Sequence, residues 1–118
     1  MRASRGEIKI AGILSQNDVN FIEEYEVPGL CSPNGRALRF DFAVLDDDGN
    51  IDFLIEYQGK QHYQPVSKFG GSRGFYQQQF NDTLKRRWCA KNHVTLIEIP
   101  YTDENLITYD YIMEKAGY

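Results

Sequence analysis

The chain has 118 residues, 42% of them hydrophobic and 25% charged, with a formal net charge of −4. That length gives one domain, 1–118, able to bury its own core, and no apolar run approaches ~18 residues, so no membrane span is expected. Two distant cysteines, Cys31 and Cys89, without a CxxC or clustered histidines, exclude a structural zinc site and read as free thiols of a cytoplasmic protein.

The opening MRASRGEIKI lacks the long apolar segment of a secretory signal. Ser4-Arg5-Gly6-Glu7 matches a capping box ahead of Ile10, Ile13 and Leu14, which predicts a helix over 5–16. A strand over 20–27 follows, closed by Pro28-Gly29, and Pro33-Asn34-Gly35 leads into a second strand over 37–45. There Leu38, Phe40, Phe42 and Val44 alternate toward the core. Asp48-Gly49 marks a hairpin into a third strand over 51–58, where Phe53, Ile55 and Tyr57 match that core face. The Gly/Pro-rich stretch 64–76 reads as an exposed, mobile loop, and 77–92 as a helix with Leu84 and Trp88 inward. A short, buried apolar strand over 94–99 ends at Pro100, and a last helix over 104–115 closes the order αβββαβα. The fold class is α/β (α+β), a mixed sheet flanked by helices.

The hairpin carries the chemistry. With Asp48 and Gly49 as a two-residue loop, Asp47 pairs with Asn50 and Asp41 faces Glu56 directly. Opposed Cβ atoms lie roughly 5 Å apart, where like charges are destabilising, so a cation between Asp41 and Glu56 is expected. Mg²⁺ or Mn²⁺ suits such oxygen ligands, as in metal-assisted hydrolysis. His62 follows Gly59 just past the strand, placed to exchange a proton with water or phosphate. Asp82 is either the partner that fixes the His62 tautomer or a first-turn acid favoured by the helix dipole. Glu7 is explained equally by its capping box and by a place in the site. Charge is uneven: 60–91 holds seven bases and only Asp82 as acid, hence +6, which leaves −10 elsewhere. A basic stripe on an acidic body can neutralise phosphates.

Glu7, then Phe40-Asp41, Glu56-Tyr57-Gln58-Gly59-Lys60-Gln61-His62, Asp82-Thr83-Leu84-Lys85 and Ile99-Pro100-Tyr101 together resemble the EDxHD nucleases. These are homing-type, phage-associated endonucleases related to the very-short-patch repair endonuclease, within the PD-(D/E)XK superfamily. The resemblance implies a restriction-endonuclease-like αβββαβ core. It also implies catalytic roles for Glu7, Asp41, Glu56, His62 and Asp82, with Asp41 and Glu56 on the metal and Lys85 on a phosphate. Gln58 stands where related sequences carry an acid and the wider superfamily a lysine. No zinc ligands are present, so mismatch recognition does not transfer.

The expected function is a Mg²⁺-dependent endonuclease nicking duplex DNA. Lys60, Arg73, Lys85, Arg86 and Lys91 would contact the phosphate backbone, and a partner chain or dimer would supply specificity. The alternative is a catalytically inactive nuclease-fold protein, either a nucleic-acid-binding or an assembly protein.

Overall fold

The computed structural model describes residues 4–118. Helix α1 (Arg5–Gln16) starts at Ser4, whose hydroxyl oxygen accepts the Glu7 N–H at 3.2 Å and whose O–H donates to the Glu7 carboxylate at 3.1 Å. Ile10 and Leu14, one turn apart, are fully buried. Gly6 sits directly on the Tyr57 ring: a Cβ there would come within 2.1 Å of it. The missing side chain lets the first turn of α1, and Glu7 with it, lie flush against the sheet.

Four strands follow the spatial order β1 (Phe21–Cys31), β2 (Ala37–Leu45), β3 (Ile51–Gln58), β4 (Thr95–Pro100). The first two pairings are antiparallel, while β3 and β4 run parallel, joined by the crossover helix α2 (Gly71–Lys91). Helix α3 (Tyr109–Lys115) closes the chain. Side chains of α1 and α3 pack on Phe42, Val44, Phe53, Ile55 and Tyr57. On the other face Leu84, Trp88 and Cys89 of α2 pack on Leu38, Phe40, Ala43 and Leu54. The chain is therefore an αβββαβα mixed-sheet fold of the α+β class.

Several expectations change. β1 runs through Pro28-Gly29 to Cys31, with a register shift between Glu26 and Cys31. Proline is tolerated there because β1 is an edge strand. The hairpin loop is one residue longer than expected. Asp46 N–H bonds Asn50 O, Gly49 takes φ +82°, and Asp46 Oδ1 accepts the N–H groups of Asp48 and Asn50. Asp47 therefore does not pair with Asn50. This is a three-residue loop with the glycine left-handed. A bulge at Asp52 absorbs the extra residue, since Leu45 pairs with Ile51 but Val44 with Phe53. The expected register thus returns before the site.

The alternation along β2 breaks at Asp41: Leu38 and Phe40 pack under α2, Phe42 and Val44 under α1 and α3. The cause is a local departure of β2 from β3. Beyond Phe42–Ile55 the backbone pairing gives way to side chains, with Asp41 N–H donating to Glu56 Oε2 (3.0 Å) and Tyr57 N–H to Asp41 Oδ2 (2.7 Å). Across the sheet Glu24 lies opposite Asp41 with φ +52°, a left-handed conformation in mid-strand.

The loop expected over 64–76 is largely structured. Short 3₁₀ turns occupy Lys60–His62 and Ser67–Phe69, and α2 begins at Gly71, so the glycine cluster opens the helix. Gly74 is required there, because a Cβ would lie 1.9 Å from the Phe69 carbonyl oxygen. The strand expected over 94–99 is half-buried rather than buried, at the far edge of the sheet. The expected last helix divides into a 3₁₀ segment, Tyr101–Leu106, and α3, which starts at the Thr108 cap.

Candidate active site

The kink at Asp41 opens a cleft of about 670 Å³ between α1, the middle of α2 and the edge of β1. Glu7, Asp41, Glu56, His62 and Lys85 all line it, and Asp82 lies directly behind His62. Residues from five separate elements thus meet at one point.

His62 sits in the 3₁₀ turn after β3, and its Nδ1 lies 2.9 Å from Asp82 Oδ2. Asp82 is buried, and its second oxygen accepts from Gln78 Nε2 at 3.1 Å. It lies eleven residues into α2, well past the first turn, so the helix-dipole explanation fails. With the acid accepting from Nδ1–H, the ring's Nε2 is left as the free acceptor; the tautomer follows from the partner.

Lys85 is buried one turn further along and forms a salt bridge with Glu56 across the interior. Its ammonium also lies over the Phe40 ring, 5.6 Å from the centroid. Both Glu56 oxygens are therefore engaged by donors of the chain itself, Lys85 Nζ and Asp41 N–H. The cation expected between Asp41 and Glu56 is, on the Glu56 side, a lysine. Glu56, expected as a metal ligand beside Asp41, is thus paired within the chain, and Lys85, expected as a phosphate contact, is buried against it.

The carboxylates left open are Glu7, Glu24 and Asp41, whose ligand oxygens lie within 4.8 Å of one another. Asp41 is pushed up to about 8, chiefly by burial and then by the charges of Glu56 and Glu7, against the Tyr57 N–H and Lys85. Glu7 is also raised, mainly by burial, with Glu24 and Glu56 adding to it. Three crowded acids with hard oxygen donors fit Mg²⁺ or Mn²⁺ better than any soft metal. Glu24 escaped the sequence reading because its place depends on the β1–β2 register and on the positive φ. Its signal was an acid in a strand next to the aspartate strand.

Gln58 turns away from the cleft. Its amide donates to Glu98 at 3.1 Å and accepts from the Tyr63 hydroxyl at 2.7 Å. Arg86 is clamped by the same Glu98 through two bonds, 2.5 and 2.9 Å, instead of standing free for DNA. Lys60, Arg73 and Lys91 are exposed. They do not form one patch: Arg73 and Lys91 lie at opposite ends of α2, roughly 27 Å apart along its axis.

No family model matches the sequence, and no solved structure matches it significantly. It is similar to Uncharacterized protein 307L of Invertebrate iridescent virus 6, 48% identical over 87 residues, covering 72% of this chain and 44% of that protein. Uncharacterized protein 094L of Frog virus 3 (isolate Goorha) is 38% identical over 90 residues, 74% of this chain and 56% of that protein. Uncharacterized protein 033L of Invertebrate iridescent virus 3 is 49% identical over 53 residues, 44% and 27% respectively. The chain spans about half the length of the first two relatives. All three are viral proteins. Among the described residues no helix is long and apolar enough to cross a membrane.

Proposed function

We propose that this chain is a divalent-cation-dependent endonuclease domain that hydrolyses phosphodiester bonds in DNA, a divergent member of the EDxHD group. One observation carries the reading. A single cleft holds three clustered carboxylates and a histidine whose ring is oriented by a buried aspartate. Glu7, Glu24 and Asp41 would hold the cation, which supplies positive charge and Lewis acidity at the scissile phosphate when bound.

The chain's own groups divide the remaining work. His62 Nε2 takes the proton of the attacking water, and Asp82 stabilises the imidazolium that results. Lys85 pairs with Glu56 in the interior, and Glu56 holds the Asp41 backbone through its N–H. Asp41 is thereby fixed from both ends. The exposed Lys60, Arg73 and Lys91 meet backbone phosphates, which positions DNA without reading its sequence. Specificity then comes from a partner chain or a second copy, and the protein acts in the cytoplasm of the infected cell.

Supercoiled plasmid with Mg²⁺ or Mn²⁺ tests this. Wild type should nick the plasmid, and EDTA, Asp41→Ala and His62→Ala should each abolish nicking. DNA binding without nicking, unchanged by Asp41→Ala, would overturn the reading in favour of a nuclease-fold binding protein.

A further inference from the structure

Helix α2 has two faces with different chemistry. Asp82, Lys85 and Cys89 are buried on the inner face. Arg73, Tyr76, Phe80 and Arg87 fall three, four and seven residues apart, which places them on one stripe opposite. That stripe is open to solvent: Tyr76 is 66% and Phe80 53% exposed. Phe69, in the turn stacked on the start of α2, is 49% exposed, with Lys68 Nζ 5.9 Å from its ring centroid. Single exposed rings are common, but aromatic rings grouped on one face mark an interaction site.

Charge decides what covers them. The helix has one acid, Asp82, and it is buried against His62, so the outer face carries no acid. A second copy docked face to face through its own α2 would set Arg73 and Arg87 against their counterparts with no acid to pair them. A polyanion meets no such penalty. Rings interleaved with arginines suit a strand whose phosphates are neutralised while its unpaired bases stack. In a duplex the bases are already stacked on one another and offer the rings nothing.

We infer that the outer face of α2 binds a single-stranded segment of nucleic acid, with bases on Tyr76 and Phe80 and phosphates on Arg73 and Arg87. The inference rests on the nuclease reading for its link to the cleft. Gln78 lines the cleft between the two rings in sequence, so a strand leaving the site rounds about half the helix circumference, roughly 17 Å, to reach them. The substrate class this defines is DNA with an unpaired stretch beside the cut, such as a flap or overhang.

Fluorescence anisotropy of the full chain in EDTA, with a dT20 oligonucleotide and a blunt 20-base-pair duplex as probes, tests it apart from catalysis. Wild type should bind dT20 more tightly than the duplex. Tyr76→Ser with Phe80→Ser should weaken dT20 binding on the order of tenfold per ring and leave the duplex unaffected. Arg73→Gln with Arg87→Gln should weaken both probes and flatten the salt dependence. Circular dichroism checks that each surface variant folds. Equal dT20 affinity in the aromatic variant and wild type would overturn the inference. So would a dimer in sedimentation that this variant dissociates. Plasmid nicking by the aromatic variant at the wild-type rate would leave the nuclease reading standing after such a failure. Tight dT20 binding by a wild type that never nicks would sink the nuclease reading alone.

Discussion

Asp41→Asn should make the cation-free protein more stable relative to wild type as pH rises. The Asp41 carboxyl is raised from its ordinary 3.8 to about 8, first by burial, then by Glu56 and Glu7. A raised folded-state value means the folded protein holds that proton more tightly than the unfolded chain. The stabilisation is complete below about pH 4 and disappears as pH passes about 8. At about 1.4 kcal/mol per unit, a shift of this size removes on the order of 4 kcal/mol between pH 5 and pH 9. Asparagine cannot ionise, yet its amide oxygen still accepts the Tyr57 N–H that Asp41 accepts at 2.7 Å. Urea unfolding in EDTA, run on both proteins from pH 5 to 9, reads the difference directly. The variant should gain on wild type by a few kcal/mol across that range. Saturating Mg²⁺ should reverse the gain, because only wild type keeps the full ligand set. A difference that is flat with pH, or that grows in favour of wild type without cation, would refute the electrostatic account of the cleft.

Three further outcomes follow from the same geometry. Lys85→Met should cost about 3–5 kcal/mol in urea unfolding by stranding buried Glu56, and Lys85→Met with Glu56→Leu should recover much of it; additive losses would contradict the pairing. Gly6→Ala, whose Cβ would collide with the Tyr57 ring, should destabilise by about 1–3 kcal/mol and shift Glu7, weakening Mn²⁺ binding by calorimetry. Thiol titration should modify Cys31 quickly in the native protein and Cys89 only on unfolding, because Cys89 is buried with its thiol pushed up to about 11.

Much of the frame was legible in the sequence, where local signals act. The Ser4 cap and the Asp48-Gly49 turn set α1, β2 and β3 to their observed ends. The start of α2 was not legible, because Gly70, Gly71 and Gly74 look like a loop by composition. Only the contact between Gly74 and the Phe69 carbonyl shows that a glycine is needed to dock the turn onto the helix. Asp41, Glu56, His62 and Asp82 were legible as residues, since their spacing places them around one strand end. Their pairings were not. Glu56 meets Lys85 only after the crossover folds α2 back on the sheet, and Glu24 joins Asp41 only through the kinked β1–β2 register. Gln58, a missing charge in the sequence, proves to face Glu98 and Tyr63 instead of the cleft.

The central claim is that one cleft combines a carboxylate-held cation with a His62–Asp82 proton acceptor. Single-turnover cleavage of an end-labelled duplex bearing a single-stranded overhang, in Mg²⁺, tests it most directly, comparing wild type with His62→Ala and Asp82→Asn. Wild type should release discrete shorter strands, His62→Ala none, and Asp82→Asn the same products at a rate lowered at least tenfold. An intact duplex with wild type, or cleavage that persists in His62→Ala, would contradict the account.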